Sequence, residues 1–496
     1  MRIATFLSVV AVVLAHSVVA RAQDPRYGIV VTDEAALRSA PRDSAKAYSV
    51  LWQGDAVEIR GESLDYFQVY DHRIERGGFL SAKHVRPLPA EAPGADELLA
   101  ILRFLRDTPG QEALGIGYAA AYIRAASPET LRGPKGAEAL DALGTFADRL
   151  ARRATSSAAS TKPGQATLTA HLEVATHYGV TFTTYERDGK VTLCYEGDAF
   201  RRVLDMRSAD ATQRARAALG LTRLDCAPGE LRPTERAALD EARATLLNAI
   251  DVSDLPAYLR NRVHMRRAAI WNSVAFQRVR RGDTPREAAE LAVSELGLVR
   301  KDDLTDDDRR VYADAAMRVN ASRWAIASPK TAPKASDRAH LILAAGQPGE
   351  TCVYLVDAAH DASNALARRC TYGIVWDRSA TLNREGNALA VGVQHTESWR
   401  EMWVFRKTGG SWSVRIMPPA ATNPAVGYAE FAGWVPGGRQ MLVAREASGE
   451  GKYNRTYQLV RIDGMTVVGQ APEPSQLPAF ERWQDPAWKQ TSLSVR

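Results

Sequence analysis

The sequence predicts a multidomain α+β protein that combines a small β-barrel, a mainly helical middle region and a C-terminal antiparallel β region. The chain has 496 residues, which is more than one hydrophobic core usually organises. Its hydrophobic pattern also changes twice, from short alternating runs to helical spacing, and near residue 328 to apolar strands. We therefore expect domains at 27–88, 91–327 and 339–475, behind an export signal at 1–22.

The first 22 residues follow the order of a secretory signal peptide. A basic start at Arg2 precedes an apolar run and then Ala20-Arg21-Ala22, the small-x-small pattern that signal peptidase recognises. The apolar run is short for a spanning helix, although a retained membrane anchor is the alternative. We expect the mature chain to begin near Gln23, to be periplasmic or secreted, and not to span a membrane.

The composition is that of an ordinary globular protein, with 45% hydrophobic and 25% charged residues. The formal net charge of +6 is small for this length. A net positive charge is compatible with binding to the anionic polymers of the cell envelope, but it does not by itself predict such binding. Nucleic acid is not expected as the partner of an exported chain, and we expect no cofactor.

Four cysteines favour two disulfides, because export leads into an oxidising compartment. Pairing Cys194 with Cys226 and Cys352 with Cys370 keeps each bridge inside one predicted region, although four cysteines allow three connectivities. A metal site is the alternative, but no pair has CxxC spacing and no histidine lies at a matching offset. We predict the two nearest-neighbour disulfides and no metal site.

The pattern of residues 27–88 predicts short strands that are separated by turns. The run "YGIVVT" indicates a strand, "RSAPRDSAK" a polar loop, and "YSVLWQGDAVEIRGE" two strands around the turn at Gly54-Asp55. Five short strands in about sixty residues are typical of a small barrel.

The segment "DYFQVYDHR" alternates in the manner of a strand with two different faces. Alternation places Phe67 and Val69 on one face and Tyr66, Gln68 and Tyr70 on the other. We assign Phe67 to the core.

The motifs of this segment resemble those of bacterial Src-homology-3-like (SH3-like) domains. The matching positions are Leu37, Arg38, Ser39 and Pro41 in a loop, Gly54 and Asp55 in a turn, and Tyr66, Phe67, Val69, Gly78, Phe79 and Leu80 on two strands. Other aromatic residues stand where the family has two tryptophans. The resemblance implies a binding module for peptidoglycan peptides or for an envelope protein.

Four aromatic residues are the predicted ligand-binding residues of this module: Trp52, Tyr66, Tyr70 and Phe79. Tyrosine suits such a surface because its ring stacks while its hydroxyl finds a hydrogen-bond partner. The alternative is that the same aromatic face packs against the next domain.

The region 91–327 is predicted to be mainly helical, with strands around 166–196. Those strands are "ATLTAHLEVATHYG" and a hairpin around Asp188-Gly189. Long helices are expected to follow at 198–220, 233–250, 256–281, 284–298 and 306–323.

Three features of this region suggest sites, and each has a simpler interpretation. His171 and His177 would share a strand face, but a third metal ligand is missing. The aspartates of 301–310 lack the glycine and glutamate of a calcium loop, and they suit helix starts instead. The arginine-rich helix at 259–281 is expected to be solvated outside its apolar stripe, with contact to an anionic lipid or polymer as the alternative.

The C-terminal region contains three similar stretches, which begin at 339, 387 and 439. Each is an apolar strand, a polar hairpin tip and a second apolar strand. This repeat resembles the blades of β-propellers. Three units cannot close a ring of the usual four to eight blades, so an open or stacked sheet or a sandwich is the alternative.

Catalytic motifs are not found in the sequence: GxSxG, HExxH, GxxxxGK[ST] and a GxGxxG between strand and helix are all missing. Cys194 precedes His264, and Cys352 precedes His395, but neither cysteine lies in a nucleophile turn. We predict an exported cell-envelope binding or scaffolding protein without catalysis. A divergent cell-wall hydrolase is the alternative.

Overall fold

A computed structural model describes residues 26–89, 94–156, 161–187, 190–326, 338–420, 426–449 and 452–489. The predicted export signal at 1–22 lies outside these residues, and so does most of the linker that follows residue 327. The described chain is a multidomain α+β protein with antiparallel sheets. It separates into an N-terminal unit, Met1–Leu131 with Ser157–Val180, and a C-terminal unit, Arg132–Ser156 with Thr181–Arg496.

Seven short strands open the N-terminal unit. Their bounds are Arg26–Val30 (β1), Ala35–Arg38 (β2), Ala47–Leu51 (β3), Ala56–Ser63 (β4), Tyr66–Asp71 (β5), Arg76–Ser81 (β6) and Val85–Pro87 (β7). They form one sheet in the order β3-β2-β6-β5-β4-β1-β7. In the part of the chain that the structure describes, no sheet closes into a barrel. The sequence predicts only five of these seven strands, because β2 and β7 are too short to show an alternating pattern.

The register of β5 confirms the predicted alternation. Phe67 pairs with Leu80, and Val69 pairs with Gly78. The buried side chains of this core are Val30, Ala35, Leu37, Leu51, Val57, Ile59, Val69, Leu80 and Val85. Phe67 packs against this cluster, as its assignment to the core predicts.

Helices make up most of the middle of the chain. Their bounds are Ala95–Arg106 (α1), Glu112–Ala125 (α2), Pro128–Arg132 (α3), Pro134–Thr155 (α4), Lys162–His177 (α5), Asp198–Asp205 (α6), Ala211–Leu221 (α7), Pro233–Asn248 (α8), Ala257–Arg281 (α9), Arg286–Gly297 (α10) and Asp306–Ala321 (α11). The predicted helix at 198–220 is two helices, because Asp210 and Gln213 form a capping box that starts α7. The other four predicted helices are confirmed to within a few residues.

The strand predicted for residues 166–179 is wrong, because this segment belongs to helix α5. Thr161 accepts a hydrogen bond from the N–H of Gly164 and so caps the helix, and Pro163 fits its first turn. The β-branched Thr and Val residues of the segment favour strands only weakly, and packing decides in favour of the helix. The buried side chains recur three or four residues apart, as on one side of a helix: Leu168, Ala170, His171, Val174 and Ala175.

Helices α2 and α5 hold the turn between β3 and β4. Gly54 has φ +95°, and a Cβ at this position would lie 2.5 Å from the carbonyl oxygen of Ala113 on α2. The hydroxyl of Tyr178, just after α5, donates a hydrogen bond of 2.6 Å to the Gly54 carbonyl oxygen. The predicted turn therefore needs glycine both for its backbone conformation and for its close contact with a helix.

The C-terminal unit contains the predicted hairpin, formed by Phe182–Arg187 (β8) and Lys190–Tyr195 (β9). Both predicted disulfides are present. Cys194 of β9 is bonded to Cys226, and Cys352 is bonded to Cys370.

Antiparallel strands follow from residue 340, as the sequence predicts. Their bounds are His340–Ala345 (β10), Thr351–Val356 (β11), Ala367–Thr371 (β12), Ile374–Leu382 (β13), Ala388–Thr396 (β14), Trp399–Thr408 (β15), Ser411–Met417 (β16), Val426–Val435 (β17), Gln440–Gly449 (β18), Lys452–Arg461 (β19) and Thr466–Ala471 (β20). A short helix, Pro478–Trp483 (α12), follows them. The three similar stretches are the hairpins β10/β11, β14/β15 and β18/β19.

Strands β10 to β12 form a three-stranded sheet, and β13 to β20 form an eight-stranded sheet. The larger sheet consists of two four-stranded antiparallel meanders, β13–β16 and β17–β20. Two residues of β15, Trp399 and Arg400, join the meanders by pairing in parallel with Gly427 and Tyr428 of β17.

No helix among the described residues combines the length and the apolar character needed to cross a membrane.

Candidate functional site

Three of the four predicted ligand residues lie on the face of the first sheet that is opposite its core. Phe79 on β6 pairs directly with Gln68 on β5, so the register places it between Tyr66 and Tyr70. Directly paired residues of antiparallel strands point to the same side of a sheet. We call Tyr66, Gln68, Tyr70 and Phe79 the aromatic face.

Tyr66 is buried, although the sequence predicts it as an exposed ligand contact. Only 9% of the residue is exposed, and its hydroxyl donates a hydrogen bond of 2.6 Å to Asp43 Oδ1. This hydrogen bond raises the pKa of Tyr66 and lowers the pKa of Asp43. Alternation along β5 predicts which face a side chain occupies, but it does not predict that the polar loop at 39–46 contributes a partner that covers the tyrosine.

Tyr70 is half-buried and lies beneath an arginine. The guanidinium carbon of Arg60 is 3.8 Å from the centroid of the Tyr70 ring, which is a cation–π contact. Arg60 occupies a β-bulge of β4, and bulges redirect side chains. Glu58 accepts hydrogen bonds of 2.8 Å from Arg60 and from His72, and the bond from Arg60 is the main cause of its lowered pKa.

The exposed part of the aromatic face therefore consists of Gln68, Tyr70 and Phe79. Gln68 is exposed, whereas Tyr70 and Phe79 are half-buried. Arg60 adds a guanidinium that is about half exposed, at 45% of its side chain. Two rings and a cation on an open face can stack on a planar or apolar group and attract a carboxylate.

Trp52 contacts a helix. Its ring meets His171 of α5 edge to face, with 6.5 Å between the ring centroids. Its backbone N–H donates to Asp55 Oδ2 at 2.9 Å, which closes the turn. We infer that Trp52 supports the packing of α5 against this turn.

His171 and His177 lie on α5 and not on a strand. His171 is buried, and its Nε2 is 2.8 Å from Asp33 Oδ1. Burial acts to raise the pKa of Asp33, but the hydrogen bond and charge of His171 hold it below its ordinary value. His171 therefore serves as an internal partner of Asp33.

A charged cluster that the sequence did not predict lies at the end of β5. Asp55 and Asp71 are nearly buried, and Arg73 lies between them, with nitrogen–oxygen distances of 3.2 Å to Asp55 and 3.6 Å to Asp71. Burial raises the pKa of Asp55 despite its hydrogen bond from Trp52 and the charge of Arg73. With His177, these residues line a cavity of about 340 Å³. The "DHR" run, which begins at Asp71, the last residue of β5, is the sequence signal for this cluster.

The cysteines and histidines considered for catalysis have other partners. Cys194 and Cys352 are bonded in disulfides, so neither is a free thiol nucleophile. His264 Nδ1 is 2.6 Å from Glu295, and His395 Nε2 is 3.1 Å from Glu401. Among the described residues, the one group with metal-ligand geometry is Glu350 with Cys352 and Cys370, and its two sulfurs form a disulfide.

The other two features of the middle region have structural roles. In the aspartate run, Asp308 is buried, accepts two hydrogen bonds from Arg262 and helps Thr305 to cap α11. The apolar stripe of α9 is buried as predicted. Arg267 of this helix is also buried and donates hydrogen bonds to the carbonyl oxygens of Leu247 and Ile250.

Comparison with protein-family models, with curated proteins and with solved structures finds no match to this chain.

Proposed function

We propose that the protein is an exported binding or scaffolding protein of the cell envelope. In this proposal, residues 27–88 are an SH3-like module that contacts a peptidoglycan peptide through Tyr70 and Phe79. The observation that carries the proposal is the register of β5 and β6, which puts both rings on the sheet face opposite the core. Trp52 instead contacts His171 of α5, and Tyr66 lies on the same face as Tyr70 with its hydroxyl bonded to Asp43.

The chemistry of the face suits a peptide that carries carboxylates. Arg60 lies over the ring of Tyr70 on this face, 3.8 Å from its centroid. Arginine beside an aromatic ring offers stacking and paired N–H donors to the same ligand. An envelope protein with an acidic segment would present similar groups, and it is the alternative partner.

One further observation fits an envelope location. Both disulfides lie in the C-terminal unit, and disulfides persist in oxidising compartments such as the periplasm.

The large sheet of the C-terminal unit suggests a second role. The meanders β13–β16 and β17–β20 each have the four-stranded antiparallel order of a propeller blade. We propose that this blade-like region is a scaffold for partners.

The experiment that tests the function is sedimentation of the mature protein with isolated sacculi. We expect the protein to pellet with the sacculi and to release no soluble fragments. Release of muropeptides would instead support the alternative, a divergent hydrolase. Failure to pellet would contradict the proposed ligand.

Single substitutions on the two faces of the sheet should separate binding from stability. We expect Tyr70→Ala and Phe79→Ala each to weaken sacculus binding by about 2 kcal/mol, or about thirtyfold, while the melting temperature stays nearly constant. The matched control is Leu80→Ala, because Leu80 follows Phe79 on β6 but is fully buried in the core.

Leu80→Ala should lower the free energy of unfolding by about 3–5 kcal/mol without removing a ligand contact. Sedimentation and thermal melting of the three variants check this prediction. If the Tyr70 and Phe79 variants bind normally but melt early, the aromatic face is an internal packing surface.

A further inference from the structure

The three-stranded sheet of the C-terminal unit brings three possible metal ligands together. Cys352 of β11 and Cys370 of β12 are directly paired across two antiparallel strands. Glu350 precedes β11, and its carboxylate oxygen and the two sulfurs all lie within 4.8 Å of one another. Zinc–sulfur bonds are about 2.3 Å long and zinc–oxygen bonds about 2.1 Å, so one ion can bridge atoms at such separations. The sequence predicts no metal site because CxxC spacing is missing, whereas strand pairing brings these cysteines together.

The disulfide between Cys352 and Cys370 prevents this group from binding a metal. The thiolate is the metal ligand, and a disulfide has none. Reduction by a dithiol breaks the S–S bond and adds two electrons and two protons, so that both cysteines become thiols and the reductant becomes a disulfide. Binding of Zn²⁺ then releases the two thiol protons. The reduced chain thus offers two thiolates and one carboxylate, and water can take the fourth position.

Neighbouring groups already orient two of these ligands. The backbone N–H of Gln347 donates a hydrogen bond of 3.1 Å to Glu350 Oε2. Arg368 Nη2 donates to Cys352 Sγ at 3.6 Å. Zn²⁺ with two thiolates and one carboxylate carries one net negative charge, which the guanidinium of Arg368 balances. Outer hydrogen bonds of this kind fix the orientation of metal ligands and strengthen metal binding.

An ion can enter this group from the side of Glu350 and Cys370, which are half-buried. Cys352 is fully buried, so an ion reaches its sulfur through the gap that opens between the two sulfurs on reduction. Strand β12 is the last strand in the order β10-β11-β12. Cys370 can therefore move away from Cys352 without breaking the pairing of a further strand in this sheet.

We propose that Glu350, Cys352 and Cys370 form a zinc site that the disulfide closes and reduction opens. The soft thiolates select Zn²⁺ and Cd²⁺ over hard cations such as Mg²⁺ and Ca²⁺. The other bridge, Cys194–Cys226, has no third ligand of this kind among the described residues. The site lies in the C-terminal unit, so the inference does not depend on the aromatic face.

Cadmium titration of the mature protein tests the proposal, because cadmium thiolates absorb ultraviolet light. The protein is reduced with dithiothreitol and separated from it without air, and circular dichroism then checks its fold. We expect the reduced protein to bind one equivalent of Cd²⁺, which Zn²⁺ displaces and Mg²⁺ does not, and the oxidised protein to bind none. A reduced protein that binds no Cd²⁺ would overturn the proposal. So would a reduced protein that loses its fold and does not regain it with Zn²⁺.

Two double variants locate the binding, because each keeps two of the four cysteines. After reduction, Cys194→Ala/Cys226→Ala should bind Cd²⁺ like the wild type, whereas Cys352→Ala/Cys370→Ala should not bind it. Equal binding by the two double variants would overturn the proposal.

The role of the carboxylate is tested separately. Glu350→Gln should weaken Cd²⁺ binding by the reduced protein by at least about tenfold. Glu481→Gln is the matched control, because Glu481 is exposed on α12 and does not belong to the ligand group. Unchanged affinity in Glu350→Gln, or an equal loss in Glu481→Gln, would remove Glu350 from the site and overturn the proposal.

Discussion

Glu430→Gln should lower the free energy of unfolding of the C-terminal unit by about 3–5 kcal/mol. Glu430 is nearly buried, and its carboxylate faces Arg400 and Arg323, whose side chains are 0% and 5% exposed. Trp488 Nε1 donates to its other oxygen at 2.6 Å. The amide keeps the size of the side chain but removes its charge, and two buried guanidinium groups then lack their shared counter-ion. The loss is large because water cannot reach these groups.

Denaturant unfolding followed by tryptophan fluorescence measures this loss. Of the ten tryptophans only Trp52 lies in the N-terminal unit, so the signal reports mainly on the C-terminal unit. The control is Glu290→Gln on α10, where Glu290 and its partner Arg286 are about half exposed, at 55% and 52% of their side chains. We expect the control to change the free energy by less than about 1 kcal/mol. Equal effects of the two substitutions would show that the buried cluster does not stabilise the fold.

The second large effect is expected from removal of the Cys194–Cys226 disulfide. This bridge closes a loop with a sequence separation of 32 residues. On the chain-entropy model, its loss in Cys194→Ala/Cys226→Ala destabilises the C-terminal unit by about 3.7 kcal/mol. The physical cause is the greater conformational freedom of the unfolded chain.

The Cys352–Cys370 bridge provides the comparison, because its sequence separation is only 18 residues. Its removal should cost slightly less, about 3.2 kcal/mol on the same model. Denaturant midpoints of the two double variants, measured beside the wild type, check both values. An unchanged midpoint after loss of either bridge would contradict its structural role.

Local patterns in the sequence predicted several parts of the fold correctly. The disulfide pairing followed from the position of each cysteine within one region, and the β8/β9 hairpin followed from its turn residues. The alternation along β5 correctly separated Phe67 from Tyr70. These features depend on neighbours in sequence, so periodicity and turn chemistry are sufficient to predict them.

Features that depend on distant contacts could not be predicted in this way. The sequence predicts a strand where helix α5 lies, because the packing of this segment against the Gly54 turn is not visible in its own residues. The sequence does not predict the burial of Tyr66, because its partner Asp43 lies in a separate loop. The buried cluster of Arg400 and Glu430 joins two strands of different meanders, and no local motif indicates it.

The most direct test of the proposed binding face is the sacculus affinity of the double variant Tyr70→Ala/Phe79→Ala. The matched control is Phe104→Ala, because Phe104 is an aromatic residue on α1 of the same unit and is 73% exposed. We predict that the double variant keeps its melting temperature and no longer pellets with sacculi, while Phe104→Ala pellets like the wild type. Wild-type pelleting by the folded double variant would contradict the account.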